Sequence, residues 1–232
     1  MINLITKFSQ SNKINKFSDL LKNSAILSLP SFLGIILAII AIPVHLQING
    51  KSDYGNYIFF HFIFSFGLLL NIGINKIVTV ELAKRKFTIE IIKQSLKISI
   101  NIIFIIMLIS IISCFIFQKY FNFLTIGVGL SLTVIYLTFD GILQGFKRFK
   151  LLSVVNFIFY TLSLNLPSIY LILNSTSNFK SLILFSIFLK LISIIIILFY
   201  LKKYFKFKYN KLLKYSFISK FKKYSKWYSL HM

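Results

Sequence analysis

The charged residues of this 232-residue chain leave six long intervals that contain no Asp, Glu, Lys or Arg, apart from one lysine in the last. The intervals hold 28, 22, 21, 20, 29 and 21 residues and lie between Lys22 and Lys51, Asp53 and Lys76, Lys97 and Lys119, Lys119 and Asp140, Lys150 and Lys180, and Lys180 and Lys202. A helix needs about 20 apolar residues to cross a bilayer. The spacing therefore predicts six membrane-spanning helices. Barrel strands are excluded, because they need only about ten residues and alternate in polarity.

The composition points to the same fold class. Hydrophobic residues make up 57% of the chain and charged residues 14%, and the mean hydropathy is +0.81. A soluble protein of this length has too little interior to hide so much apolar surface. We therefore predict an all-α integral membrane protein, a six-transmembrane-helix bundle whose partner is the lipid bilayer. The net charge of +22 would suit a nucleic-acid partner, but the lysines flank apolar intervals, so we predict none.

The chain divides into three predicted segments. Residues 1–22 form a cytoplasmic amphipathic segment, residues 23–201 the bundle, and residues 202–232 a basic, aromatic cytoplasmic tail. The predicted spans cover approximately residues 24–46, 54–75, 98–118, 121–139, 151–173 and 181–201. Both end segments mix lysines with apolar or aromatic side chains, a composition typical of segments at an anionic membrane surface.

The distribution of basic residues predicts the orientation of the spans. The two tails and the second and fourth connections together carry 23 Lys and Arg residues, whereas the other three connections carry one lysine each, at Lys51, Lys119 and Lys180. Connections rich in Lys and Arg remain in the cytoplasm. Both termini are therefore predicted to be cytoplasmic, which agrees with an even number of spans.

Polar residues recur at helical spacing inside the last two predicted spans. The fifth carries Asn156 and Tyr160, and the sixth carries Ser186, Lys190 and Ser193. One interpretation is that these faces line a central cavity that binds substrate. The alternative is that they pack against neighbouring helices, with the hydroxyls bonded to backbone carbonyls. The sequence leaves both open.

Lys190 stands apart from these polar residues, because a charge deep in the bilayer is costly and marks a candidate functional residue. At about 1.5 Å per residue, it lies about 12 Å and about 16 Å from the two ends of its span. The alternatives are that its side chain snorkels to an interface or that its amine is neutral. The five acids, Asp19, Asp53, Glu81, Glu90 and Asp140, are all predicted at or outside the interface, Asp140 in the cytoplasmic connection after the fourth span.

No residue pattern indicates catalysis, a metal site or a cofactor. The acids pair with no histidine in a recognisable motif, and neither a nucleophile elbow nor a phosphate-binding glycine loop is present. His45, His61 and His231 are interpreted as isolated packing or interface residues. Cys114 lies inside an apolar interval and is the single cysteine, so no intrachain disulfide is expected.

Three stretches resemble the polysaccharide-exporting flippases of the multidrug/oligosaccharidyl-lipid/polysaccharide (MOP) superfamily. Residues 50–55 (GKSDYG) resemble a short outer turn of that family. Residues 71–74 (NIGI) with 81–84 (ELAK) resemble the end of its second helix, although Val80 stands where an arginine often precedes the glutamate. Residues 141–149 (GILQGFKRF), with Asn156 beyond them, are similar to its turn between the fourth and fifth helices.

The resemblance implies one half of a transporter that has two six-helix halves around a central cavity. The expected function is translocation of an undecaprenyl-pyrophosphate-linked glycan across the bacterial cytoplasmic membrane by alternating access, in O-antigen or lipopolysaccharide biosynthesis. The anionic head group of that substrate would give Lys190 a partner. A missing C-terminal half or a homodimer would complete the unit. The alternatives are a small-molecule exporter of the same superfamily and a non-transporting membrane fragment or scaffold.

Overall fold

The computed structural model describes residues 2–71, 73–84, 88–174 and 178–205, and every regular element in these ranges is helical. The helices are α1 (Ile2–Ile48), α2 (Gly50–Ser65), α3 (Gly67–Leu70), α4 (Ile74–Ala83), α5 (Thr88–Phe117), α6 (Tyr120–Gly145), α7 (Phe149–Asn156), a π-helical segment (Phe157–Leu162), α8 (Ser163–Tyr170) and α9 (Phe179–Phe205). The predicted all-α fold class is confirmed. The predicted tail lies outside the described residues from residue 206 onward.

Among the described residues, five helical stretches are long and apolar enough to cross a membrane. They are Leu21–Ile48, Ile89–Phe117, Phe121–Gly145, Phe149–Tyr170 and Phe179–Lys202. A sixth crossing results if Gly50–Leu70 and Ile74–Ala83, which meet at an angle of 50°, form one broken span. The chain is therefore a multi-pass membrane protein. The segment predicted at residues 1–22 continues directly into the first span, because α1 begins at Ile2.

The break in the second span occurs at Gly73. This residue has φ = 72°, a left-handed conformation that favours glycine. The side chain of Asn71 stabilises the break. Its Oδ1 accepts a hydrogen bond from the backbone N–H of Asn75 (3.1 Å), and its Nδ2 donates to the hydroxyl of Thr138 on α6 (3.2 Å). Beyond the break α4 continues to Ala83, so the helix ends eight residues later than the predicted boundary at residue 75.

Helix α6 is the centre of the bundle, packed against α2, α4, α5 and α9. Its side chains Tyr136, Phe139 and Leu143 are buried in an apolar cluster that α6 forms with its neighbours. Helix α5 lies at the edge, where Phe104 and Phe115 are 67% and 71% exposed. Exposed apolar side chains on a membrane-spanning helix are suited to contact with lipid.

Two prolines free backbone carbonyls that neighbouring helices then satisfy. Because Pro30 has no N–H, the carbonyl of Ile26 loses its helical partner, and Ser153 on α7 donates its hydroxyl proton to that carbonyl (2.6 Å). Pro167 likewise frees the carbonyl of Ser163, and the Tyr57 hydroxyl on α2 donates to it at 3.2 Å. These bonds hold α1 to α7 and α2 to α8, where lipid could supply no donor.

Replacing Tyr57 with phenylalanine is expected to lower the free energy of unfolding by about 1–3 kcal/mol, because it leaves the carbonyl of Ser163, which Pro167 frees, without a donor. Tyr57 is fully buried, and its hydroxyl also approaches the carbonyl of Leu164 at 2.7 Å. Thermal unfolding in detergent micelles measures the change. Tyr170→Phe is the matched control, because the hydroxyl of this exposed residue accepts a hydrogen bond from the exposed side chain of Asn174 (3.3 Å). Equal stability of the two variants would contradict the capping role of Tyr57.

Candidate functional site

Lys190 lies near the middle of α9 and is 5% exposed. Its ammonium stands 4.8 Å from the centre of the Phe64 ring and 4.9 Å from the centre of the Phe159 ring. Cations are attracted to the faces of aromatic rings, and this attraction strengthens where water is excluded. Within the described residues Lys190 makes no ion pair with a carboxylate. The amine therefore packs against two rings, and no carboxylate among the described residues pairs with it.

The ammonium borders a cleft of about 200 Å³ between α2, α9 and the segment that runs from the π-helix into α8. His61, Tyr160 and Lys190 supply polar groups to its wall, and apolar side chains such as Leu164 supply most of the rest. Leu68 at the rim is 53% exposed and Tyr160 is 43% exposed. The cleft is thus open on one side of the bundle.

His61 is a cleft residue that the sequence analysis interpreted as an isolated packing residue. Its Nε2 lies 3.2 Å from the Ser186 hydroxyl on α9, and its ring packs 4.7 Å from that of Tyr57. Ser186 precedes Lys190 by one helical turn. His61 precedes Phe64 by three residues, so both face the cleft from α2, but nothing in the sequence links α2 to α9.

The two predicted serines have different positions. Ser186 is fully buried and orients His61 through their hydrogen bond. Ser193 is also fully buried, but its hydroxyl donates to the carbonyl of Lys190 (2.7 Å), within its own helix, and it does not line the cleft. For Ser193 the geometry is that of the packing alternative.

Asn156 and Tyr160 both contact Tyr136, whose ring stacks on the Phe159 ring that Lys190 approaches. The Tyr136 hydroxyl donates to Oδ1 of Asn156, and the Tyr136 ring stacks on Phe159 with 3.8 Å between ring centres. Phe159 therefore lies between Tyr136 and the ammonium. Tyr160 meets Tyr136 edge-on, with 5.5 Å between ring centres, and lines the cleft. Asn156 does not line the cleft.

The π-helical turns present the cleft residues of the fifth span. Phe159 and Tyr160 are consecutive residues in Phe157–Leu162, and both line the cleft. A π-helix adds residues to a turn and is found frequently at functional sites. The segment also contacts α1, where Gly34 leaves room for Thr161, whose hydroxyl donates to the carbonyl of Pro30 (2.9 Å).

Asp140 was predicted to lie in the cytoplasmic connection after the fourth span, but it lies inside a helix. Helix α6 continues through it to Gly145, and the side chain is 9% exposed. The apolar face of α6 extends past the charge, because Ile142 and Leu143 are fully buried. A span boundary drawn at the first charged residue therefore ends this helix too early.

The described residues contain no group of three or more His, Cys, Asp or Glu side chains that would hold a metal ion. Comparisons with protein-family models, with curated proteins and with solved structures find no match. The fold and the cleft themselves define the class: a multi-pass α-helical membrane protein with a buried lysine beside an intramembrane cleft.

Proposed function

We propose that this chain is a flippase unit that moves an undecaprenyl-pyrophosphate-linked oligosaccharide across the bacterial cytoplasmic membrane in polysaccharide biosynthesis. The observation that carries the proposal is the buried ammonium of Lys190, which faces a cleft and has no carboxylate partner within the described chain. The resemblance in residues 50–55, 71–84 and 141–149 to polysaccharide exporters supports the same substrate class.

An anionic ligand suits this site better than a neutral or cationic one. A buried charge is costly unless it is paired, and the phenyl rings at Lys190 offset only part of that cost. A phosphate or pyrophosphate would pair with the ammonium through short, charge-assisted hydrogen bonds. The neighbouring His61 and Tyr160 can donate further hydrogen bonds to such a group.

The size of the cleft and its open side indicate how the remainder of the substrate would fit. A cleft of about 200 Å³ has the scale of a pyrophosphate head group and leaves the glycan outside. A polyprenyl chain would lie along apolar side chains such as Leu68 at the rim. The open side would be covered by a second unit, such as a second copy of the chain.

The proposal includes an orientation with both termini in the cytoplasm, and cysteine labelling tests it. In a Cys114→Ser background, cysteines introduced at the exposed positions 51 and 118 should react with an impermeant maleimide added to spheroplasts. Cysteines at the exposed positions 147 and 202 should react only after permeabilisation. The reverse pattern would overturn the orientation.

Direct binding tests the substrate class. Protein in nanodiscs is expected to bind undecaprenyl pyrophosphate with or without an attached sugar, and to bind neutral undecaprenol at least tenfold more weakly. Equal binding of the two lipids would contradict an anion site. Binding of small organic anions in preference to the lipid would favour a small-molecule exporter, and absence of binding would favour a scaffold.

A further inference from the structure

Asp140 is a buried acid outside the Lys190 cleft. It lies on α6, five residues before the end of the helix at Gly145, and its side chain is 9% exposed. Its hydrogen-bond partner is the side chain of Gln144, whose Nε2 lies 2.8 Å from Oδ2 of Asp140. Within the described residues Asp140 makes no ion pair. The carboxyl group is thus largely removed from water, with one neutral donor beside it.

The charged groups around Asp140 do not neutralise it. Tyr136 lies one turn before Asp140 on α6, and its ring meets that of Tyr160 on the π-helical segment edge-on. Helix α4 carries Glu81, which pairs with Lys84 at 2.9 Å, and the exposed Lys76; α5 carries Glu90, bonded to Gln94, and exposed lysines. The exposed Arg148 precedes α7, which carries an exposed lysine, while α2 carries His61 and α9 carries Lys190. None of the described lysines pairs with Asp140, so a negative charge there has little to compensate it.

We propose that Asp140 is an intramembrane proton-binding site, in which the carboxyl alternates between its ionised and neutral forms. Burial without a cation disfavours the ionised form. Oδ2 takes a proton from hydronium, whose O–H bond breaks to leave water, and on release the proton returns to a water molecule; no other bond changes. Acids of this kind within membrane spans are frequent in proton relays.

Gln144 is suited to both forms of the carboxyl. Its amide NH₂ donates to the carboxylate in the observed arrangement. After a half-turn of the amide, its Oε1 accepts the hydrogen bond of the protonated acid, because an amide presents a donor on one side and an acceptor on the other. One partner therefore satisfies Asp140 before and after proton uptake.

The site is linked to the Lys190 cleft through two tyrosines. Tyr136 lies one turn before Asp140 on α6 and meets Tyr160 edge-on, and Tyr160 lines the cleft. A change of charge at Asp140 thus alters the electrostatic potential at the cleft wall. Proton binding itself is independent of the proposed substrate.

Infrared spectroscopy of the full chain in nanodiscs tests the proposal. The chain contains three aspartates, Asp19, Asp53 and Asp140, so labelling aspartate with ¹³C at the carboxyl carbon isolates their carbonyl bands. At about pH 6 an ordinary aspartate, with a pKa of about 3.9, is roughly 1% protonated. We expect the carbonyl band of the protonated labelled carboxyl to be at least tenfold stronger than an ordinary aspartate would give at this pH. Asp140→Asn should remove the band, and the band should weaken as the pH rises.

Two further variants keep the result interpretable. In the double variant Asp19→Asn, Asp53→Asn, Asp140 is the sole aspartate, and the band should persist; this holds even if Asp140→Asn fails to fold. Glu81→Gln should leave the labelled band unchanged. A band that is absent from the double variant, or that survives Asp140→Asn, would overturn the proposal. The readout requires neither substrate nor transport, so its failure is separate from failure of the proposed function.

Discussion

Lys190→Leu is expected to weaken the binding of undecaprenyl pyrophosphate by about 10- to 100-fold and to abolish export in the assembled transporter. Hydrogen bonds to charged groups contribute about 1.5–3 kcal/mol, and leucine removes both the charge and the donors. Lys190→Arg should retain part of the activity, because the charge remains while the planar guanidinium changes the geometry beside Phe64 and Phe159. Lipid binding in nanodiscs and glycan export in cells measure the two effects.

Lys180→Leu is the matched control for Lys190. Lys180 is on the same helix and its ammonium also lies over an aromatic ring, 5.4 Å from the centre of Phe121, but the residue is exposed and outside the cleft. We expect this variant to bind the lipid normally. Lys190→Leu should reach the membrane in undiminished amounts, because removing a buried charge relieves a cost of folding. Loss of the protein from the membrane would instead indicate a structural ion pair with another unit.

Gly141→Ala is expected to lower the free energy of unfolding by about 3 kcal/mol, at the upper end of the overpacking range. A methyl group at Gly141 on α6 would overlap the backbone of Asn75 on α4, including its carbonyl oxygen. Backbone cannot move aside as a flexible side chain can, so α4 and α6 would have to separate. Their separation would also disturb the Thr79 hydroxyl, which donates to the carbonyl of Gly141 (3.1 Å).

Gly55→Ala is the control for this close approach. Gly55 lies inside α2, and a methyl group there meets no atom within 4 Å. Alanine has a higher helix propensity than glycine, so the variant should be unchanged or more stable by up to about 1 kcal/mol. Thermal unfolding in detergent compares the two variants. Similar melting temperatures would show that α4 and α6 tolerate a wider separation than their packing indicates.

Charge spacing predicted the fold class well, because burying a charge in lipid is so costly that charged residues mark most helix ends. It placed the end of one helix too early, at a charge that lies among packed helices. Helix α6 continues through Asp140, whose side chain is buried against its neighbours. The break at Gly73 was also beyond a local pattern, since the Asn71 side chain that stabilises it bonds to Thr138 on another helix.

The site was predicted only in part, for a similar reason. Lys190 was identified because its charge is conspicuous inside an apolar interval, and Tyr160 because it lies at helical spacing on a polar face. His61 was missed, because its role depends on Ser186, which is 125 residues away in the chain. The Phe64 and Phe159 rings that hold the ammonium are apolar residues among many, and only the packing of α2, α9 and the π-helical segment distinguishes them.

Two hydroxyl groups donate to carbonyls that prolines leave without a helical donor, and these hydrogen bonds limit how the helices can move apart. If α7 moves away from α1, the carbonyl of Ile26 loses the Ser153 hydroxyl, and if α8 moves away from α2, the carbonyl of Ser163 loses that of Tyr57. Water can replace a lost hydroxyl, but a lipid tail cannot. The contacts between α1 and α7 and between α2 and α8 can therefore separate only if water enters between the helices. Helix displacement and hydration of the bundle interior are then coupled, so that the bundle stays closed as long as its interior contains no water.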